Sequence, residues 1–173
     1  MAQSHRNSEV DMQFVLFTLG QQVYGVEIRR VQRLLQIPSV TPVPGAPDFV
    51  EGVTQIRGKV VALINTKRRL GLQDPTWTSQ ARVIIVELAN NEAHIGLIVD
   101  AVTEVARIPP ENIEPTTQAG ISTHDPVAVG IAKHDDRLVI LLDPDKVLSE
   151  SEAAFLQDTQ EPQKETKTSR KAA

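Results

Sequence analysis

Apolar-rich stretches in this chain span five to eight residues, and almost every one ends at a turn signal. Runs of that length predict strands, and the short polar gaps between them predict hairpins. Met12–Leu19 and Val23–Ile28 flank Gly20-Gln21-Gln22. Val60–Ile64 follows Arg57-Gly58-Lys59. Arg82–Ala89 and Ala93–Val99 flank Asn90-Asn91-Glu92, and Val127–Lys133 and Arg137–Leu142 flank His134-Asp135-Asp136. Many short strands with such turns predict a barrel or a sandwich. Helices are expected to be short. Ile28, Val31 and Leu35 have i, i+3, i+7 spacing, which predicts two helical turns near 27–35. Leu148, Ala154, Phe155 and Leu156 predict a closing helix within Leu148–Gln157.

The pattern repeats. At an offset of 71, Tyr24-Gly25-Val26 matches Ile95-Gly96-Leu97, Val31 matches Val102 and Ile37 matches Ile108. At an offset of 78, Val60-Val61 and Leu63 match Leu138-Val139 and Leu141, Asn65 matches Asp143, and Leu70 matches Leu148. Asn65 and Asp143 are expected helix N-caps, since a short polar side chain there accepts from amides one turn on. Pro144 fits the first helical position after such a cap. Each half therefore reads as hairpin, short helix, hairpin, short helix. The fold class predicted is mostly β, with two similar small barrels packed together.

Residues 12–157 are expected to form the folded unit. The first eleven residues are polar, and from Asp158 to Ala173 the only apolar residues are the last two alanines. Neither end can bury enough surface to order itself, so both are expected to be loose. Charge divides with position. Residues 1–75 carry nine Lys/Arg and six Asp/Glu, and residues 76–157 carry five and thirteen. A net +3 facing a net −8 favours a partner of complementary layout, or it merely keeps the second half soluble.

Several function classes are excluded or disfavoured. The absence of cysteine removes disulfides, thiolate metal sites and cysteine nucleophiles. No apolar run reaches 18 residues, so no membrane insertion is expected, and the polar N-terminus lacks a signal peptide. A cytoplasmic location follows as an expectation. Net charge is −4 and aromatics are 3%, which argues against a nucleic-acid face. The four histidines His5, His94, His124 and His134 show no metal-ligand spacing. His124-Asp125 and His134-Asp135 could be base–orienter pairs, but their turn context reads as solvated loop. Asp135-Asp136 reads as turn chemistry. No phosphate-cradling glycine loop or nucleophile elbow is present. No catalysis, cofactor or metal is expected.

One segment stands apart. Ile37–Pro47 holds four prolines in eleven residues, so it must run extended and outside a central ladder. It leads through Asp48–Gly52 into Val53–Gly58. Arg57, before Gly58, can make bidentate contacts with a partner or pair internally with Glu27 or Glu51. Arg29-Arg30 with Arg33, and Lys67-Arg68-Arg69, could touch phosphates or an acidic partner, or be solvated faces.

The order Phe14–Gly20, Tyr24-Gly25, Ile28–Gln32, Pro44–Phe49, Gly52-Val53, Ile56–Gly58 and Val60-Val61 resembles the CheW-like chemotaxis coupling proteins. The resemblance spans about Met12–Leu148, and the stretch around Gly52–Gly58 is its specific part. It implies two SH3-like five-stranded β-barrels with short helices, intertwined in one unit. It implies a non-catalytic adaptor that joins the cytoplasmic tip of methyl-accepting chemoreceptors to the regulatory domain of a CheA-type histidine kinase. The output would be motility: chemotaxis, or gliding, twitching or developmental behaviour. Recruitment to receptor clusters at the inner membrane would follow. Val31, Arg33, Gly52, Val53, Arg57 and Gly58 then fall in the partner-binding region. A Glu is frequent in the family where this chain has Arg33, so Arg33 would face Arg57 in place of a Glu–Arg pair. The alternative reading is a small barrel that binds nucleic acid or a small ligand.

Overall fold

The structure is a computed structural model that describes residues 12–72, 76–89, 93–116, 127–149 and 152. The loose ends expected at 1–11 and 158–173, His5, His124 and most of the helix expected over Leu148–Gln157 lie outside these residues. The strands in order are β1 (Met12–Leu19), β2 (Gln22–Glu27), β3 (Val31–Gln36), β4 (Val50–Ile56), β5 (Lys59–Asn65), β6 (Arg82–Glu87), β7 (His94–Val99), β8 (Ala101–Ile108), β9 (Ile113–Pro115), β10 (Ala128–His134) and β11 (Arg137–Leu142). Helix α1 is a single turn, Thr66–Arg69, and 3-10 turns occupy Ile28–Arg30, Pro110–Asn112 and Pro144–Lys146.

The helix expected near 27–35 is instead a 3-10 turn followed by β3. Along β3, Val31, Arg33 and Leu35 are half-buried while Gln32, Leu34 and Gln36 are exposed, a period of two. The spacing of Val31 and Leu35 fits both periods. Pairing with β6 decides it, because tertiary context overrides a weak local preference.

Two sheets form, in the orders β8-β1-β2-β11-β10-β9 and β3-β6-β7-β5-β4. Pairing is antiparallel except at β2–β11 and β5–β7. Each sheet curls into a small SH3-like barrel. The first has a sixth, three-residue strand, β9, beyond the expected five. The halves exchange strands: β3 leaves the first hairpin to join β6, and β8 leaves the second to join β1. The charge division of the sequence therefore does not become a division between barrels. Residues 31–100, which build the second barrel, carry seven Lys/Arg against six Asp/Glu. Residues 12–30 and 101–149, which build the first, carry six against nine.

The repeat holds in detail. Asn65 N donates to Phe49 O (2.7 Å), and 78 residues on, Asp143 N donates to Val127 O (2.9 Å). Both side chains cap, Asn65 Oδ1 accepting from Arg68 N (3.0 Å) and Asp143 Oδ1 from Asp145 N (2.9 Å). Gly25 and Gly96, 71 apart, each sit where a Cβ would press into leucine and valine side chains, at 3.0 Å from Leu16 and 2.6 Å from Leu63 respectively.

Three apolar clusters explain why the strands read as runs and not as clean alternation. Phe14, Leu16, Val139 and Leu141 fill the first barrel, and Val61, Leu63, Val83 and Ile85 the second. The alternate residues Val15, Phe17, Tyr24, Val26, Ile64, Ile84 and Leu97 meet in a shared core between the barrels. Central strands are thus buried on both faces. After the last 3-10 turn, Ser149 Oγ accepts from Glu152 N (3.2 Å) and Glu152 Oε1 from Ser149 N (2.8 Å). That is the capping box of a helix start.

Candidate partner-docking site

β3 is one edge of the second barrel's sheet and β4 the other. The proline-rich segment joins them. Pro38 and Pro42 cannot donate, so this stretch makes only a bridge and not a strand: Thr41 N and O exchange hydrogen bonds with Val53 O and N, both at 2.8 Å. This bridge covers Gly52 and Val53, which are buried. Gly52 has φ +149°, and a Cβ there would stand 2.3 Å from Thr41 O. The register of β4 and β5 also shifts at Val50/Gly52. Only glycine fits. Gly52 and Val53 therefore lie beneath the proline-rich segment and present no side chain at the surface.

Arg57 and Gly58 form the two-residue turn between β4 and β5, with Ile56 paired to Lys59. Their φ values of 51° and 80° make it a type I′ turn, and both residues are exposed. The turn 78 residues on, Asp135-Asp136, has φ values of 49° and 62°. The internal pair expected as one alternative for Arg57 is not formed. Glu27 is taken by Arg29 (2.9 Å), and Glu51 Oε1 accepts from Asn65 Nδ2 (2.8 Å). Hydrogen bonding to Glu27 and its charge together hold the exposed Arg29 guanidinium above its usual pKa, with a small opposing effect of desolvation.

Val31 and Arg33 lie on β3, half-buried, opposite Val86 and Ile85 with a bulge between them. Among the described residues neither the Arg33 nor the Arg57 side chain has an ion-pair or hydrogen-bond partner. Arg33 lies on β3 and Arg57 in the β4–β5 turn, on strands at opposite ends of the sheet order. Beside Arg33, Leu34 is 46% exposed and Ile37 37% exposed. Among the described residues β3 thus offers a free strand edge, exposed Leu34 with Ile37 just past its end, and an unpaired guanidinium.

Of the other basic clusters, Lys67, Arg69 and Arg30 turn inward, contrary to both readings from the sequence, while Arg29 and Arg68 stay exposed as a solvated face. Lys67 is 1% exposed: its Nζ lies 2.7 Å from Asp100 Oδ1, donates to Thr76 O (2.8 Å) and sits 4.4 Å from the centre of the Trp77 ring. Arg68 Nη1 donates to Asp48 O (3.2 Å), and Arg69 Nε to Val147 O (2.6 Å). Arg30 donates to Glu87 O and to Asp145 Oδ1. Arg30 and Arg69 tie the barrels together, and Lys67 is held inside the second barrel. Three basic residues in a row carry no signal of burial, because the acceptors come from elsewhere in the chain.

His134 also departs from its solvated-loop reading. It ends β10, its side chain is 19% exposed, and its Nε2 is buried without a hydrogen-bond partner. No helix among the described residues is long and apolar enough to cross a membrane.

Comparison with known proteins agrees with this architecture. The family model described as "CheW-like domain" matches residues 13–152. The chemotaxis protein CheW of Klebsiella aerogenes is 30% identical over 147 residues, which cover 85% of this chain and 87% of that protein. The Helicobacter pylori protein of the same name is 31% identical over 142 residues, covering 82% and 84%. Among solved structures, the scaffolding protein TtCheW from Thermoanaerobacter tengcongensis superposes with a TM-score of 0.75 at 34% identity, covering 82% of this chain and 95% of that one.

Proposed function

The chain belongs to the CheW-like domain family, and from that membership we propose that it is a chemotaxis adaptor that couples chemoreceptors to a CheA-type histidine kinase. It acts by contact and not by catalysis. The receptor's cytoplasmic tip and the kinase's regulatory domain are its partners, and through them it is held in receptor clusters at the inner membrane. The observation that carries the reading is the likeness to a scaffolding protein over 82% of the chain at a TM-score of 0.75. Locally, the free edge of β3 supports it. An unpaired strand edge is a template for another chain, and a soluble protein that exposes Leu34 and Ile37 beside it has reason to cover them. Val31, Arg33, Arg57 and Gly58 form the contact face, with Gly52 and Val53 as its support.

The test is reconstitution. The kinase, a receptor cytoplasmic fragment and this chain are combined, and kinase autophosphorylation is followed. Receptor-dependent control of the kinase should appear only when the chain is present. A kinase that responds to receptor equally well without it would overturn the assignment.

A further inference from the structure

We propose that Glu104, His134 and Asp135 form a binding site for a zinc-class divalent cation at the seam of the first barrel. His134 Nε2 lies 3.4 Å from Asp135 Oδ2 and 3.6 Å from Glu104 Oε1. One donor atom from each residue falls within 4.8 Å of the others. Metal–nitrogen and metal–oxygen bonds of about 2.0–2.2 Å at tetrahedral angles hold neighbouring ligand atoms about 3.3–3.6 Å apart. A proton shared between nitrogen and oxygen holds them at about 2.7–3.2 Å. The two distances from His134 suit a cation better than a well-formed hydrogen bond. The electrostatics agree. An imidazole nitrogen shielded from water and without a hydrogen-bond partner, facing two carboxylate oxygens, is relieved by a proton on the nitrogen or by a cation between them.

The ligands come from two places that the fold must hold together. His134 and Asp135 are the end of β10 and the first residue of its type I′ turn, so the hairpin fixes both. Glu104 comes from β8, the edge strand at the opposite end of the sheet order. A cation bound to all three would staple that seam. Asp135 is the exposed member, its side chain 74% accessible, and gives the ion a way in. Arg137 Nη2 stands 3.8 Å from the other Glu104 oxygen, Oε2, and its side chain is 56% exposed, so it leaves Oε1 free and can swing away. An imidazole donor selects zinc, cobalt, nickel or copper over magnesium and calcium, which take oxygen ligands.

The test is calorimetric titration of the untagged full chain with zinc chloride at neutral pH, alongside thermal unfolding with and without zinc. The visible spectrum of the cobalt(II) form reports the geometry. Saturable binding with a rise in Tm is expected. His134→Gln and Glu104→Gln should each weaken it at least about tenfold, while His94→Gln leaves it unchanged. His94 is the right control, because its Nε2 lies 3.7 Å from a carboxylate of its own, Glu87. Should His134→Gln fail to fold, Glu104→Gln still decides, since that side chain is 39% exposed. Absence of zinc binding, or binding that survives both substitutions, would overturn the proposal.

Discussion

Lys67 and Asp100 are joined at 2.7 Å in the second barrel, where the chain passes from β7 to β8, and Arg30 and Asp145 form a charge-reversed pair within one residue of the positions the repeat relates to them. An offset of 78 carries Lys67 onto Asp145, and an offset of 71 carries Asp100 onto Arg29, next to the Arg30 that binds Asp145. In both pairs the carboxylate also caps a hairpin amide. Asp100 Oδ2 accepts from Gly20 N (2.7 Å), and Asp145 Oδ1 from Ala89 N (2.8 Å). The duplicated halves thus keep the clamp while exchanging its sign.

The Lys67 clamp gives a stability prediction. Lys67→Met keeps most of the volume but leaves Asp100 without its cation. Breaking a buried ion pair on one side costs about 3–5 kcal/mol. Asp100 is 20% exposed and keeps its amide, so the low end is expected. Urea unfolding measures it. A loss below about 1 kcal/mol would show that Asp100 needs no partner.

The second clamp gives a pH dependence. Burial pushes the Asp145 carboxyl up, but the hydrogen bond from Arg30, the amide of Ala89 and the Arg30 charge together outweigh it and hold the group below the usual range. A depressed folded-state value means that the unfolded chain takes up the proton first. The stability from Asp145 is therefore complete above the unfolded value of about 3.9 and is lost as pH falls through the lower folded value. Asp145→Asn should destabilise the protein at neutral pH, and the gap to the parent should close below about pH 4. A gap that stays constant into acid would assign the effect to geometry and not to charge.

Gly52 and Gly58 should respond differently to alanine. At Gly52 a Cβ meets the Thr41 carbonyl at 2.3 Å, backbone that cannot yield without breaking the bridge to Val53. At Gly58 nothing lies within 4 Å and only the positive φ is strained. Gly58→Ala should cost about 1–2 kcal/mol. Gly52→Ala should cost more and weaken partner binding too, because β4 and the proline-rich segment shift together. Equal losses in thermal unfolding would show that the bridge is soft.

Local features were legible in the sequence, and long-range ones were not. Asn65 and Asp143 could be read as caps because capping is decided within four residues. Gly25 and Gly96 marked the same strand in each half. The exchange of β3 and β8 between barrels left no local trace, since each strand's partner is dozens of residues away. Lys67 reads as one of three solvated cations until Asp100 is placed beside it, and His134 as a turn residue until Glu104 is. Among the residues proposed for the contact face, the sequence did not show the division by burial, with Arg57 exposed, Arg33 half-buried, and Gly52 and Val53 beneath.

Arg57 allows that division to be measured. At φ 51° it occupies the first central position of a type I′ turn, which favours asparagine or glycine over a long side chain. It is exposed and unpaired among the described residues, so replacing it removes no internal contact. Arg57→Asn should therefore stabilise the fold, by up to about 1 kcal/mol. If the guanidinium belongs to the contact face, the same substitution should weaken binding to kinase or receptor. Arg33→Glu should likewise leave folding intact while reversing charge on the free edge of β3. The informative outcome is the opposite movement of two measurements on one variant: a higher Tm with a weaker Kd. A variant that gains stability and binds as tightly as the parent would remove Arg57 from the interface and leave its turn as its only role.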